Sequence, residues 1–252
     1  MKISLVIITY NEERHIKECI ESARDLVNDI VVVDSFSTDK TVEIAKSLGA
    51  RVIQREFKGY ADQKNYAMDL AEGDWIISLD ADERLTEAIK NEIRTRLDRE
   101  EFVAYYVPRR NYYMGKILKC WSPDRIVRIA KKGFAEWRGL VHEKMKVDGK
   151  VGVMKNPIIH FPFDNLKDQY NKNLNYARLM AQEKYRKGRK FNILDLVLRP
   201  YLNFVKHYFV KGCILEGMRG LIFSLFYLSY TIWKYSFLYE LWHTEDKNGK
   251  NI

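Results

Sequence analysis

Trp75-Ile76-Ile77-Ser78-Leu79-Asp80-Ala81-Asp82-Glu83 carries a near-continuous apolar stretch straight into two carboxylates spaced two residues apart. An apolar run of this length, with no polar alternation, suits a strand covered on both faces. At a strand end, residues two apart point to the same side, so Asp80 and Asp82 converge. Like charges that close are unfavourable unless a cation or hydrogen-bond donors compensate them. Mg²⁺ or Mn²⁺ bridging a carboxylate and a diphosphate supplies that compensation.

Working outward, the N-terminal half repeats the pattern of a buried strand followed by a helix. Ile3 to Ile8 and Ile30 to Asp34 are β-branched apolar runs, and Arg51-Val52-Ile53 is a shorter one. Between them, Glu13 to Arg24 places Ile16, Cys19, Ile20 and Ala23 on one helical face. Thr38 and Asp39 are expected to open a second helix that stops at Gly49, and Ala61 to Ala71 a third. Strands separated by helices of this length imply an α/β fold: a mostly parallel, Rossmann-like sheet flanked by helices. In such sheets ligands bind beyond the carboxyl ends of the strands. Those ends are Thr9-Tyr10-Asn11-Glu12, Asp34-Ser35-Phe36-Ser37 and Asp80-Ala81-Asp82. No glycine-rich phosphate loop follows the first strand, which argues against a P-loop or a GxGxxG dinucleotide site.

Residues 161–252 differ in character, and the expected division is a catalytic domain over 1–160 and a helical extension over 161–252. The net charge of +9 sits mostly in this extension. Asn165 to Lys187 reads as a polar helix, Gly188-Arg189-Lys190 as a break, and Ile193 to Val210 and Ile214 to Tyr239 as aromatic-rich helices. The uncharged run Gly220 to Trp233 falls short of the ~20 residues a membrane span needs. Lys206, Lys211, Arg219 and Lys234 beside aromatics suit helices lying on an anionic membrane surface; a helical core or a homo-oligomer interface is the other use of such helices. A nucleic-acid partner is not expected, because the cations lie among amphipathic helices rather than along a stripe of stacking aromatics. Cys19, Cys120 and Cys213 are odd in number and far apart, with no zinc spacing and no disulfide framework. They are expected to be free thiols in a reducing cytosol. The opening MKISLVIITYNEE has too short an apolar run for a signal peptide's core, in keeping with a cytoplasmic place.

The strings SLVIITYNEERHI (4–16), DIVVVDSFSTDKTVEIAKSLGARV (29–52), KNYAMDLAEGDWIISLDADE (64–83) and WRGLVHE (137–143) resemble the family 2 glycosyltransferases of the GT-A fold. Within that family the chain is similar to the lipopolysaccharide-core β-1,4-glucosyltransferase branch, whose tail YFVKGCILEGMRGLIFSLFYLSY (208–230) also resembles. The resemblance implies an inverting transfer of a sugar, glucose from UDP-glucose by that likeness, onto a lipid-linked saccharide at the inner face of the cytoplasmic membrane. It implies that Thr9 and Glu12 contact the nucleotide, that Asp34 bonds the base or ribose with Ser37 assisting, and that Asp80 lies by the ribose or metal. Asp82 would ligate the divalent metal, joined by His160, a late histidine of the kind that suits Mn²⁺; a satisfied core histidine beside Phe161 and Phe163 is the other reading of His160. Glu143 would be the catalytic base, with His142 as the alternative or as an orienting neighbour. Lys64 either faces the diphosphate or is a solvated lysine. Trp121 would stack on a sugar face, and Arg125 or Arg128 would clamp a phosphate or lie on a strand surface. A nucleotidyltransferase using the same carboxylates is the rival enzyme class.

Overall fold

The computed structural model describes residues 1–98, 101–139 and 143–248, with backbone alone for 245–248. The N-terminal half alternates as expected: β1 (Ile3–Thr9), α1 (Ile16–Ala23), β2 (Asp29–Asp34), α2 (Thr41–Ser47), β3 (Arg51–Gln54), α3 (Tyr60–Leu70) and β4 (Trp75–Asp80). Then follow β5 (Glu83–Arg84), α4 (Glu87–Arg96), β6 (Ala104–Tyr113), β7 (Lys116–Ile117), β8 (Asp124–Lys131), β9 (Ala135–Arg138), β10 (Lys144–Val147), β11 (Val151–Val153) and β12 (Ile158–His160). The chain closes with α5 (Leu166–Arg186), α6 (Ile193–Val205) and α7 (Met218–Asn248). It divides into two compact units, one of Met1–Asn111 with Pro123–Phe161, the other of Tyr112–Ser122 with the chain from Pro162 onward.

In the first unit the strand order is β3-β2-β1-β4-β8-β6-β12-β5. β1, β2, β3 and β4 pair in parallel, and β8 enters antiparallel to both β4 and β6. The near-continuous apolar runs of β1, β2 and β4 have a direct cause. Leu5, Ile7, Val32, Ile77 and Leu79 face one core with α1 and α4, while Val6, Val31, Val33 and Ile76 face a second core under α3. Both faces are dry, so no polar alternation survives. Each such side chain contributes about 1.5–3 kcal/mol by leaving water. Gly73 has a specific reason: a Cβ there would lie 2.6 Å from the backbone nitrogen of Ser4, where the turn into β4 crosses β1.

Helix starts depart slightly from expectation. α2 begins at Thr41 rather than at Thr38, because the Asp39 carboxylate accepts the Thr41 backbone N–H at 3.0 Å from outside the helix. α1 begins at Ile16, where the Glu12 carbonyl accepts the first N–H bonds from His15 and Ile16.

The second unit gathers α5, α6, α7 and the hairpin of Tyr112–Ser122. Tyr113, Leu118, Cys213 and Phe223 form its buried aromatic cluster, with Cys120, Trp121 and Phe163 packed against it. The helical run expected over 193–210 is α-helical only to Val205 and then widens into a π turn over Lys206–Val210. Gly212, in the left-handed region at φ 74°, ends it. The expectation of three free cysteines is corrected here: Cys120 and Cys213 are joined by a disulfide across 93 residues of sequence. Spacing could not reveal the pair, since the partners meet only when the hairpin packs against the turn before α7. Cys19 is free and buried, and burial pushes its thiol up well beyond the usual range, which makes it a poor nucleophile.

Replacing Cys120 by Ser should cost about 2–4 kcal/mol of unfolding free energy, read by urea denaturation without reductant. Wild-type protein in dithiothreitol should show a loss of the same size.

Candidate active site

Three parallel strands deliver their carboxyl ends side by side. Thr9 of β1 is in register with Asp34 of β2, and Ile8 with Asp80 of β4. Asp34 is fully buried and well satisfied: Thr9 Oγ1 donates to it at 3.0 Å, the Ser37 backbone N–H at 2.8 Å and Gln54 Nε2 at 3.2 Å, with the Ser37 hydroxyl donating as well. Asn11, at φ 55°, ties the two loops together: its N–H donates to Ser37 Oγ, and its side-chain oxygen accepts the Thr38 N–H, both at 2.8 Å. The Glu12 N–H donates to Thr41 Oγ1 at 2.8 Å. Thr9, Glu12, Asp34 and Ser37 therefore form one cross-braced rim, and Tyr10 and Phe36 stand exposed on it.

Beside this rim runs a ladder of alternating charges. Lys64, on α3, is only 3% exposed, so it is not a solvated lysine. Its Nζ lies 2.8 Å from both Asp80 Oδ1 and Glu143 Oε1, and 4.5 Å from the centre of the Trp137 ring. Asp80 also bonds Arg128, which bonds Glu83 Oε1 at 2.7 Å; Arg109 joins Glu83 at 3.2 Å and Asp124 at 2.6 Å. Burial would push the Asp80 carboxyl up, but Arg128 and Lys64, with Arg109 behind them, outweigh it and hold it far below the usual carboxylate range. Arg128 is buried against Trp137, so it is not a surface arginine, and its guanidinium is engaged by the protein's own acids. Arg125, on the same strand, is exposed.

Asp82 and His160 converge at the next position. His160 Nε2 lies 3.4 Å from Asp82 Oδ2, and its Nδ1 lies 2.6 Å from Asn111 Oδ1. The Asn111 amide thus holds one ring nitrogen of His160 while the other stands beside the Asp82 carboxylate. A carboxylate oxygen and an imidazole nitrogen side by side are ligand types that a divalent cation such as Mn²⁺ accepts. Among the described residues no group of three or more His, Cys, Asp or Glu gathers as a complete cage. Two protein donors fit a cation that keeps positions for phosphate oxygens and water. The charges agree: Glu143, Asp80, Glu83 and Asp124 face Lys64, Arg128 and Arg109, and Asp82 adds a further negative charge.

Thus Asp34 joins Thr9 and Ser37, Glu143 joins Lys64 and Asp80, and Asp82 joins His160. Trp121 belongs to the helical unit, where it is half-buried with its ring centroid 4.9 Å from Phe223 and 6.2 Å from Phe163. His142 lies outside the described residues. Sequence reasoning missed Glu83, Trp137, Asn111 and Asp124, whose partners are distant in the chain; the acidic run after Asp80 was the available sign of Glu83. A cavity of about 420 Å³, lined by Arg14, His15, Glu18, Arg84 and Phe161, also opens in this unit, and Phe161 directly follows His160.

Residues 4–145 match the family model described as Glycosyl transferase family 2. The chain is 30% identical over 241 residues to an uncharacterised glycosyltransferase of Rickettsia typhi, covering 90% of this chain and 82% of the relative. It is 29% identical over 236 residues to the lipopolysaccharide core biosynthesis glycosyltransferase LpsC of Rhizobium meliloti, covering 88% and 86%. In fold it is similar to Staphylococcus aureus TarS residues 1–349, solved in complex with UDP-GlcNAc, at a TM-score of 0.51 and 15% identity, covering 97% and 92%. The architecture is that of GT-A glycosyltransferases.

Arg128→Met should cost about 3–5 kcal/mol in urea denaturation, because it takes from the fully buried Glu83 the nearer of its two cations and leaves Asp80 with Lys64 alone. Arg125→Met, on the exposed face of the same strand, should stay within about 0.5 kcal/mol of wild type.

Proposed function

The chain belongs to glycosyltransferase family 2, and from that premise we propose that it transfers glucose from UDP-glucose, with inversion and with a divalent cation, onto a lipid-linked saccharide of the lipopolysaccharide inner core. The observation that carries this reading is the meeting of Asp82 with His160 beside the Glu143–Lys64–Asp80 ladder, next to the polar rim of Thr9 and Asp34. The likeness to LpsC supports the acceptor class. That TarS was solved with UDP-GlcNAc supports a uridine nucleotide as the carrier.

In this reading the nucleoside lies along the Thr9, Glu12, Asp34 and Ser37 rim, which its own hydrogen bonds hold in one conformation. Asp82 and His160 would hold Mg²⁺ or Mn²⁺, which when bound neutralises the diphosphate leaving group. Arg125, exposed on β8, is available to a phosphate of donor or acceptor. The acceptor hydroxyl attacks the anomeric carbon from the face opposite the nucleotide. The new carbon–oxygen bond forms as the bond to the diphosphate breaks, and the hydroxyl proton passes to Glu143. Lys64 keeps Glu143 in place through a 2.8 Å ion pair and, by sharing it with Asp80, fixes the base relative to the donor side. No covalent enzyme intermediate is required.

The acceptor would be met at the inner face of the cytoplasmic membrane, where nucleotide sugars are made.

Glu143→Gln should lower kcat for transfer from UDP-glucose to an inner-core saccharide by about 10²–10⁴-fold while UDP affinity stays within a few-fold. Transfer at an undiminished rate would remove Glu143 as the base.

A further inference from the structure

The helical unit leaves an apolar face that its own fold does not cover. α6 buries only Asp195 and Pro200, while Ile193, Leu194, Val197, Leu198, Tyr201 and Leu202 are all exposed. At helical spacing these six occupy one continuous side of the helix. The face continues beyond α6 through Phe209, Val210 and Leu215, the last 89% exposed. An apolar stretch of this extent on a folded chain marks an interaction surface.

The charges around it give the partner's sign. Between residues 193 and 218 the exposed charged residues are Arg199, Lys206 and Lys211, and no acidic residue there is exposed. Asp195 is buried and already bonded by Arg189 and Arg199. On the flank of α6, Lys184 and Arg199 lie 5.8 Å from the Tyr235 ring and Lys234 lies 5.1 Å from it, gathering three cations. Burial, with Lys184 and Arg199 nearby and Asp195 acting the other way, brings the Lys234 ammonium down to about 8. No described helix is long and apolar enough to cross a bilayer. An apolar face rimmed by cations, on helices that do not span, is the pattern of a segment lying in the headgroup layer.

We propose that the α6 face, continued through Phe209, Val210 and Leu215, docks this chain in the plane of an anionic lipid bilayer, with Leu198 and Leu202 entering the acyl boundary and Lys206 and Lys211 meeting lipid phosphates. The inference deepens the proposed function, and it rests on that reading only for which membrane is meant.

The test is co-sedimentation of the full chain with phosphatidylcholine vesicles and with phosphatidylcholine–phosphatidylglycerol vesicles, with UDP binding measured on the same samples. Wild type should bind the anionic vesicles at least about tenfold more tightly than the neutral ones. The double variant Leu198→Asp, Leu202→Asp and the double variant Lys206→Glu, Lys211→Glu should each lose about tenfold or more of that affinity. Both change exposed residues, so unchanged circular dichroism should accompany the loss. Equal binding to both vesicle types, or undiminished binding by the leucine variant, would overturn the proposal. A dimer in light scattering that the leucine variant dissociates, with no vesicle binding, would overturn it in favour of a second copy. Absence of UDP binding alongside intact vesicle binding would instead contradict the proposed function and leave the docking face standing.

Discussion

A single buried ammonium, that of Lys64, holds together two carboxylates that are distant in the chain, Asp80 and Glu143. Moving such a cation out of water costs several kcal/mol, and the cost is met only with close partners. Asp80 and Glu143 at 2.8 Å and the Trp137 ring at 4.5 Å are those partners. The reverse also holds: without Lys64, Asp80 and Glu143 would meet as like charges at the end of the sheet. From this pair the ladder runs through Arg128, Glu83 and Arg109 to Asp124, crossing from β4 to β8 and β6. The antiparallel half of the sheet is thereby locked onto the parallel half. A network of this kind fixes positions more than it adds stability, and positioning is what a displacement reaction asks of its scaffold.

The central strands were legible because their physics is local. β1, β2 and β4 are dry on both faces, so their apolar runs are nearly unbroken, and the buried face of α1 shows as Ile16, Cys19, Ile20 and Ala23. The acids at the strand ends were legible for the same reason, since a carboxylate closing a buried strand is conspicuous. What could not be read depends on distant partners. Glu143 follows Lys64 by 79 residues, and only folding shows that Lys64 is buried rather than solvated. Cys120 and Cys213 are 93 residues apart and carry no spacing signal. Trp121 has the composition of a sugar platform, yet Phe163 and Phe223 claim its ring. The start of α2 slipped from Thr38 to Thr41 because Asp39 caps from the loop instead of entering the helix.

The two units divide the physical work. The first holds its strand-end acids with its own donors, as in the four-donor cradle around Asp34, and presents few large apolar side chains. The second is closed by an aromatic cluster and a disulfide, yet turns a row of aliphatic side chains outward along α6. A chemical site benefits from the first arrangement, because its groups must stay within a fraction of an ångström. An attachment to a fluid surface needs only the second, which asks for area and charge rather than fixed geometry.

The claim most exposed to test is that Asp82 and His160 hold a cation needed for the uridine nucleotide. Calorimetric titration of wild type and of Asp82→Asn with UDP, each in Mn²⁺ and in EDTA, addresses it directly. The account predicts binding in Mn²⁺ that weakens by at least about tenfold in EDTA or in Asp82→Asn, the loss expected when one charged contact of about 1.4 kcal/mol or more is removed. UDP binding of equal strength in all four conditions would contradict it.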